Sequence, residues 1–286
     1  MSNIFNFFDN ILLAATCGSN KNTKILISSK EELASIVKKD YTDALRFLKT
    51  VATNRPGEFE SGFFRGAKVY NAENGLLIKP GIRISENASN LYTILMSDIL
   101  QSWQKYPKRN KSHICTNSSN VASTYGTLYM VLPKNNTNIG VCITSDIWYS
   151  FNTKYRDVAP EISKEIVKVL AAVLQKKIDI KVFWDAQKTI ELFEEFDSNI
   201  SKINLEAVKN NLNGIAKEIF VDLITEKSSF LKFIENNVFN TDRFELVNIK
   251  NFSDYYEHRE FWFEDTALYI EEENFELISE LLEDID

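Results

Sequence analysis

The segment Arg109–Gly126, which reads RNKSHICTNSSNVASTYG, constrains the fold more than any other part of this chain. Its first half predicts a short strand over Ser112–Thr116, which the small polar residues Thr116–Ser119 interrupt. A helical stretch, Asn120–Tyr125, follows and ends at Gly126, because glycine readily takes the positive φ that many helix ends need. Hydroxyl and N–H groups therefore gather where a strand becomes a helix. Such a point is either an ordinary helix N-cap or an anion site, because the first helical N–H groups lack partners.

An arginine lies within an apolar strand upstream of this segment. The run Gly62–Tyr70, GFFRGAKVY, is a strand by composition, and alternation places Phe63 and Arg65 on one face. A cation among aromatic residues needs a partner, because burying an unpaired charge is costly. The partner is either a structural carboxylate or an anion at the wall of a cleft. Gly66 favours the cleft, because glycine permits close backbone approach.

A glutamate opens another apolar strand near the C-terminus. The strand is predicted over Glu260–Phe263, with Glu260 and Trp262 on the same face. A lone glutamate at the start of a strand is normally a solvated charge. Glu264 follows on the same face and is the competing carboxylate.

An arginine strand, a Ser/Thr-rich strand end and a glutamate strand thus occur in this order along the chain. Together they resemble the Arg–Ser/Thr–Glu signature of the mono-ADP-ribosyltransferases, a family that cleaves NAD. The resemblance covers about Gly62 to Ile270. It implies an α+β fold with a split β-sandwich core, NAD as substrate in the cleft, and no metal.

The resemblance also implies roles for individual residues. Splitting NAD passes through a cation-like ribosyl state, which a nearby carboxylate stabilises. Arginine suits the pyrophosphate because its donors form a fixed fork. The catalytic residues implied are Glu260, Arg65 and Thr116. The NAD-binding residues implied are Arg65, Gly66, Thr116, Asn117, Ser118 and Tyr125.

The chain departs from the family pattern at three positions. Cys115 and Asn117 stand where the family carries the serines that flank the central threonine. His258 stands two residues before the glutamate, where enzymes that modify arginine often carry Glu or Gln. The acceptor of ADP-ribose is therefore open among water, a protein side chain and a nucleic-acid base. A catalytic Cys115 with His113 or His258 is a separate alternative.

Helical periodicity divides the remaining chain. Residues 1–60 are expected to form an N-terminal helical region, and residues 61–160 with 240–286 the catalytic core. Residues 161–239 are expected to be a helical insertion, because their apolar residues repeat at helical spacing. The run Leu91–Trp103 also predicts a helix.

Composition limits the classes of partner and compartment. A formal charge of −7 argues against non-specific binding of nucleic acid, because such binding needs clustered positive charge. The local basic group is interpreted as a solvated loop; it comprises Lys105, Lys108, Arg109 and Lys111. Three dispersed cysteines favour free thiols in a reducing compartment, with Cys115 and Cys142 buried in strands. No apolar run is long enough to cross a membrane.

The composition and the resemblance together predict a cytoplasmic protein that acts on NAD and a protein target. The location would be a host cytoplasm or a virion. Abundant Asn, Lys and Ile suit an AT-rich source such as a phage. The rival hypothesis is a non-enzymatic virion or host-interaction protein that retains the fold. Its aromatic strands and amphipathic helices would serve binding equally well.

Overall fold

The structure, a computed structural model, describes residues 22–54, 62–68, 70, 72–82, 90–156, 161–253 and 257–283. The chain forms two compact units. The sheet unit comprises the described residues within Ser19–Ile82, Tyr106–Ile147 and Phe244–Asp286. The helical unit comprises those within Arg83–Lys105 and Trp148–Arg243. It contains the predicted insertion, residues 161–239, and takes further residues from both sides of it.

Nine strands form one antiparallel sheet in the order β1-β3-β9-β5-β2-β4-β8-β6-β7. They are β1 Thr23–Leu26, β2 Phe64–Ala67, β3 Leu76–Lys79, β4 His113–Thr116, β5 Thr127–Leu132, β6 Asn138–Cys142, β7 Phe244–Asn248, β8 Glu260–Phe263 and β9 Ala267–Glu271. The helices are α1 Lys30–Asp40, α2 Thr42–Asn54, α3 Asn90–Ile94, α4 Ser119–Ser123, α5 Ile147–Ser150, α6 Ile162–Leu174, α7 Ala186–Ile200, α8 Leu205–Asn211, α9 Gly214–Glu226, α10 Phe230–Asn237 and α11 Glu276–Glu283. The predicted α+β class is confirmed.

Residues 1–60 are not wholly helical where the structure describes them. β1 is an edge strand of the sheet and pairs with β3. Helices α1 and α2 follow, separated at Tyr41, whose φ of −133° leaves the helical region. Ser29 caps α1, accepting a hydrogen bond from the Glu32 N–H at 3.2 Å. Residues 1–21 of the predicted N-terminal helical region lie outside the described residues.

The helical unit is built from α3 and α6–α10. The predicted insertion consists of four helices after α6, because capping residues such as Asp185, Asn204 and Ser229 begin new helices. The predicted helix Leu91–Trp103 is only partly regular. It begins as α3, continues as a π-helical turn over Leu95–Ile99, and gives way to a 3₁₀ turn after the extended residue Leu100.

Aromatic residues fill the core of the sheet unit. Phe63 lies at the centre, with ring centroids 4.8 Å from Phe252, 5.4 Å from Phe47 and 5.6 Å from Phe261. Phe63 directly precedes β2, Phe47 is in α2, Phe261 is in β8 and Phe252 follows the turn after β7. Edge and tilted contacts of this kind add about 0.5–1.5 kcal/mol per pair beyond the burial of apolar area. The sheet is thereby fixed against helix α2.

One seam in the sheet has fewer register pairs than any other. β2 and β4 share the single register pair Phe64 and Thr116. By contrast, β2 and β5 share four pairs, and β4 and β8 also share four. The sheet therefore consists of a five-strand part and a four-strand part that meet at the β2–β4 seam.

Candidate active site

The three predicted elements lie on three neighbouring strands. Arg65 is on β2, Thr116 ends β4 and Glu260 begins β8, and these strands are adjacent in that order. Phe64 is opposite Thr116, and Thr116 is opposite Glu260. Because directly opposed residues of antiparallel strands project to the same face, Thr116 and Glu260 share one face of the sheet. We call this surface, with Trp262, the Glu260 face.

The side chain of Arg65 projects to the other face. Arg65 is one residue away from Phe64 in β2, so alternation turns it away from the row that contains Thr116 and Glu260. It lies opposite Tyr129 on β5. The structure thus brings the three strands together but separates the Arg65 guanidinium from the Glu260 carboxylate across the sheet.

Arg65 reaches across the β2–β4 seam. Its Nη1 donates to the Ile114 carbonyl of β4 at 3.4 Å, and the Tyr269 hydroxyl is an electrostatic neighbour of its side chain. In the described part of the chain, no carboxylate forms an ion pair with Arg65. A charged guanidinium held only by neutral acceptors retains capacity for an anion.

A buried polar chain continues from Arg65. The Tyr269 hydroxyl lies 2.7 Å from Nδ1 of His113, whose Nε2 lies 3.0 Å from the Asp265 carbonyl oxygen. A carbonyl only accepts, so the neutral imidazole that satisfies both contacts has its proton on Nε2 and accepts from Tyr269 at Nδ1. Burial raises the pKa of the Tyr269 phenol, which therefore remains a protonated donor at neutral pH.

The Cys115 alternative fits this environment poorly. Cys115 is buried, and burial raises the pKa of its thiol to about 12, although nearby Arg65 opposes that shift. A nucleophilic cysteine needs the thiolate. Both ring nitrogens of His113 are engaged with Tyr269 and Asp265, so His113 is not placed as a base for this thiol.

Thr116 and Ser118 form an ordinary helix cap. The Thr116 hydroxyl oxygen accepts a hydrogen bond from the Ser118 N–H at 3.2 Å. The Ser118 hydroxyl oxygen accepts from the Val121 N–H at 3.3 Å and caps α4. α4 has only five residues. Of the two interpretations of this segment, a helix N-cap and an anion site, these contacts directly support the N-cap.

Asn117 attaches the α4 loop to the start of β8. Its side-chain oxygen accepts from the Arg259 N–H at 2.8 Å, and its side-chain nitrogen donates to the Glu257 carbonyl at 3.0 Å. Its backbone N–H also approaches the Arg259 carbonyl at 3.4 Å. Asn117 therefore positions the residue before Glu260, a role that its sequence context did not indicate.

Asn117→Ala is expected to lower the free energy of unfolding by about 1–3 kcal/mol, because the backbone groups of residues 257 and 259 lose buried partners. The measurement is urea-induced unfolding followed by circular dichroism. Asn120→Ala is the matched control, because Asn120 is exposed on the neighbouring helix. Equal stability of the two variants would show that the Asn117 attachment contributes little.

Gly66 lets α4 lie directly on β2. A Cβ at Gly66 would fall 2.0 Å from the Ala122 backbone oxygen and 2.8 Å from the Tyr125 Cβ. Gly126, which ends the α4 turn with a φ of +133°, would place a Cβ 2.5 Å from the Ala67 oxygen. Gly66 and Tyr125 thus have a packing role on the face of β2 opposite the Arg65 side chain.

Glu260 has a cationic partner that sequence reasoning missed. Nη1 of Arg109 lies 2.8 Å from Oε1 of Glu260, and the side chains are 6% and 17% exposed. The guanidinium carbon of Arg109 lies 5.1 Å from the centroid of the Trp262 ring, within cation–π distance. The Cys142 thiol lies 3.9 Å from the same Glu260 oxygen. The interpretation of Arg109 as part of a solvated loop is wrong, because Arg109 is buried against β8.

The Tyr106–Arg109 segment is attached along the Glu260 face at further points. The indole Nε1 of Trp262 donates to the Pro107 carbonyl at 2.9 Å. The backbone N–H of Lys108 donates to the carboxylate of Glu264. Glu264, the competing carboxylate, is thus already engaged by backbone. A basic pair directly before a strand was the only sequence signal for this segment.

Comparison with known proteins adds no relative. No protein-family model, curated protein or solved structure matches the chain. Within the described residues, no group of three or more His, Cys, Asp or Glu side chains could hold a metal ion. None of the helices in the described ranges is both long and apolar enough to cross a membrane.

Proposed function

We propose that this protein transfers ADP-ribose from NAD to a target macromolecule or to water, with release of nicotinamide. The observation that carries the proposal is the pairing of Thr116 with Glu260 on neighbouring strands, beside the strand that contains Arg65. These elements are far apart in the sequence, and their order in the sheet supports the resemblance to mono-ADP-ribosyltransferases. The family assignment itself is part of the proposal, as are the phage source and the split β-sandwich core.

Glu260 is the proposed catalytic carboxylate. Its side chain is 17% exposed, so a ligand can reach it while most water is excluded. Oε1 is bound by Arg109, and the described residues give Oε2 no hydrogen bond. An oxygen in this state can accept a ribose hydroxyl and stabilise the positive charge that develops as the nicotinamide–ribose bond breaks.

Arg65 is the proposed contact for the NAD phosphates. Its guanidinium donates to the Ile114 carbonyl and forms no ion pair with a carboxylate of the described chain. The proposal places the dinucleotide at the β2–β4 seam, because only there could one ligand meet groups from both faces of the sheet. Thr116 borders the seam, and its hydroxyl lies in the same row as Glu260.

The test is release of nicotinamide from NAD, measured by chromatography. Glu260→Gln is expected to lower kcat by ~10²–10³-fold, the usual cost of removing one preorganised electrostatic group, without changing the circular dichroism spectrum. Glu264→Gln is the matched control, because glutamine can still accept the Lys108 N–H, and it should retain activity. Loss of activity in the control alone would assign the reaction to Glu264.

The second candidate is a non-enzymatic binding protein that retains this fold. Two observations favour it: Arg65 and Glu260 project to opposite faces, and the Glu260 carboxylate is already paired with Arg109. This candidate predicts no nicotinamide release from wild type. It also predicts that Glu260→Gln changes only the stability of the fold. Thermal unfolding of wild type and of Glu260→Gln would measure that change.

A further inference from the structure

We infer that Arg109 is the positioning residue for Glu260: it fixes one carboxylate oxygen so that the other faces the reacting ribose. This inference rests on the proposed function. It concerns a contact between the turn before β4 and the first residue of β8, and Arg109 is not among the residues implied by the family resemblance. The contact is the 2.8 Å ion pair between Nη1 of Arg109 and Oε1 of Glu260.

The position of Arg109 is fixed from several sides. Arg109 opens the 3₁₀ turn Arg109–Lys111 and is 5% exposed. Its guanidinium lies over the Trp262 ring, and the Trp262 indole is held in turn by the Pro107 carbonyl. An arginine on the surface samples many rotamers, and its ion pairs contribute little to stability. A guanidinium packed between an indole and a carboxylate is instead confined to one orientation.

The ion pair also addresses an electrostatic conflict in the proposed reaction. NAD brings two phosphate charges to a site whose catalytic group is itself an anion. An uncompensated Glu260 would repel them, and in a site that excludes water this repulsion is stronger than in bulk solvent. Arg109 offsets the charge of Glu260 before NAD binds. The ion pair with Arg109 uses Oε1 of Glu260, and Oε2 has no hydrogen bond from the described residues. Oε2 is therefore available to the ribose hydroxyl.

A group that orients a catalytic carboxylate should affect turnover more than substrate affinity. Arg109→Ala is expected to lower kcat for nicotinamide release by about 10²-fold, the cost of a displacement of about 1 Å. KM should rise by a smaller factor, because the uncompensated Glu260 carboxylate repels the NAD phosphates. Free guanidinium at millimolar concentration should restore kcat by about tenfold or more, because it can occupy the vacated site and pair with Oε1. A purely structural role would not be rescued in this way.

The controls separate this inference from the proposed function. Lys111→Met removes the other cation of the same turn, which has no contact with Glu260, and should leave turnover and KM at wild-type values. If Arg109→Ala does not fold by circular dichroism, Arg109→Lys is measured instead. Lysine keeps the charge but lacks the planar fork, so kcat should still fall while guanidinium rescue is lost.

The outcomes are distinct. The inference is overturned if Glu260→Gln abolishes nicotinamide release while folded Arg109→Ala turns over like wild type. It is also overturned if folded Arg109→Ala loses turnover that guanidinium does not restore, or if Arg109→Lys, used in its place, retains wild-type kcat. In each case the proposed function stands. If wild type itself releases no nicotinamide, the proposed function fails and the inference fails with it.

Discussion

Gly140→Ala is expected to lower the free energy of unfolding by about 3 kcal/mol or more, at the upper end of the cost of overpacking a core. A Cβ at Gly140 would lie 2.2 Å from Cε2 and 2.3 Å from Cζ2 of Trp262. The Trp262 ring is completely buried and its Nε1 is bonded to the Pro107 carbonyl, so it has nowhere to move. Urea-induced unfolding followed by tryptophan fluorescence measures the loss.

Gly62→Ala is the matched control for this prediction. A Cβ there would lie 3.3 Å from Cζ of Phe64 and 3.5 Å from Cδ2 of Leu48, two side-chain ends that can yield slightly. Its cost should therefore be well below that of Gly140→Ala. Similar unfolding midpoints for the two variants would contradict the close packing of Trp262 on β6.

Arg109→Met is expected to lower the free energy of unfolding by about 3–5 kcal/mol, the cost of removing one partner of a buried ion pair. The variant leaves the largely buried Glu260 carboxylate without its cation. The double variant Arg109→Met/Glu260→Gln should recover much of this loss, because the remaining amide carries no charge. Urea unfolding of wild type, both single variants and the double variant completes a double-mutant cycle.

The cycle tests the ion pair itself rather than the site in general. Lys111→Met should change stability by no more than about 0.5 kcal/mol, as expected for a surface position. Strict additivity of the Arg109 and Glu260 substitutions would mean that the two side chains do not interact in solution. A large Arg109→Met effect with no recovery in the double variant would assign the loss to packing against Trp262.

Local sequence patterns predicted the regular elements well where the pattern was long or strongly apolar. The strand Glu260–Phe263 is confirmed with its bounds, and α6 lies within the predicted helical insertion, residues 161–239. Strands β1 and β3 were not predicted, and of β6 only the buried strand position of Cys142 was predicted. Each has only four or five residues and is formed through pairing with distant strands, which no short window of sequence contains.

The candidate site shows a different limit. The resemblance implied that the arginine, the threonine and the glutamate share one cleft, and the strands that carry them, β2, β4 and β8, are neighbours. The relative orientation of the side chains depends on register, and a shift of one residue moves a side chain to the other face. Arg65 differs from the Phe64–Thr116 row by that single residue. Periodicity within one strand cannot determine which residue of another strand lies opposite.

The partner of Glu260 was missed for a related reason. Arg109 belongs to a stretch rich in lysine, and such stretches are normally solvated. Its burial follows from contacts with Trp262 and Glu260, which strand pairing alone brings near. Long-range contacts of this kind become visible only when the register of the sheet is known.

The β2–β4 seam has a mechanical consequence. The five-strand and four-strand parts share one backbone register pair there, so their alignment depends on side chains, including the contact of Phe63 with Phe261. The guanidinium of Arg65 adds a side-chain hydrogen bond to the Ile114 carbonyl across this seam, where most backbone hydrogen bonds are missing. Loss of this hydrogen bond would leave the seam with the Phe64–Thr116 pair and side-chain packing alone.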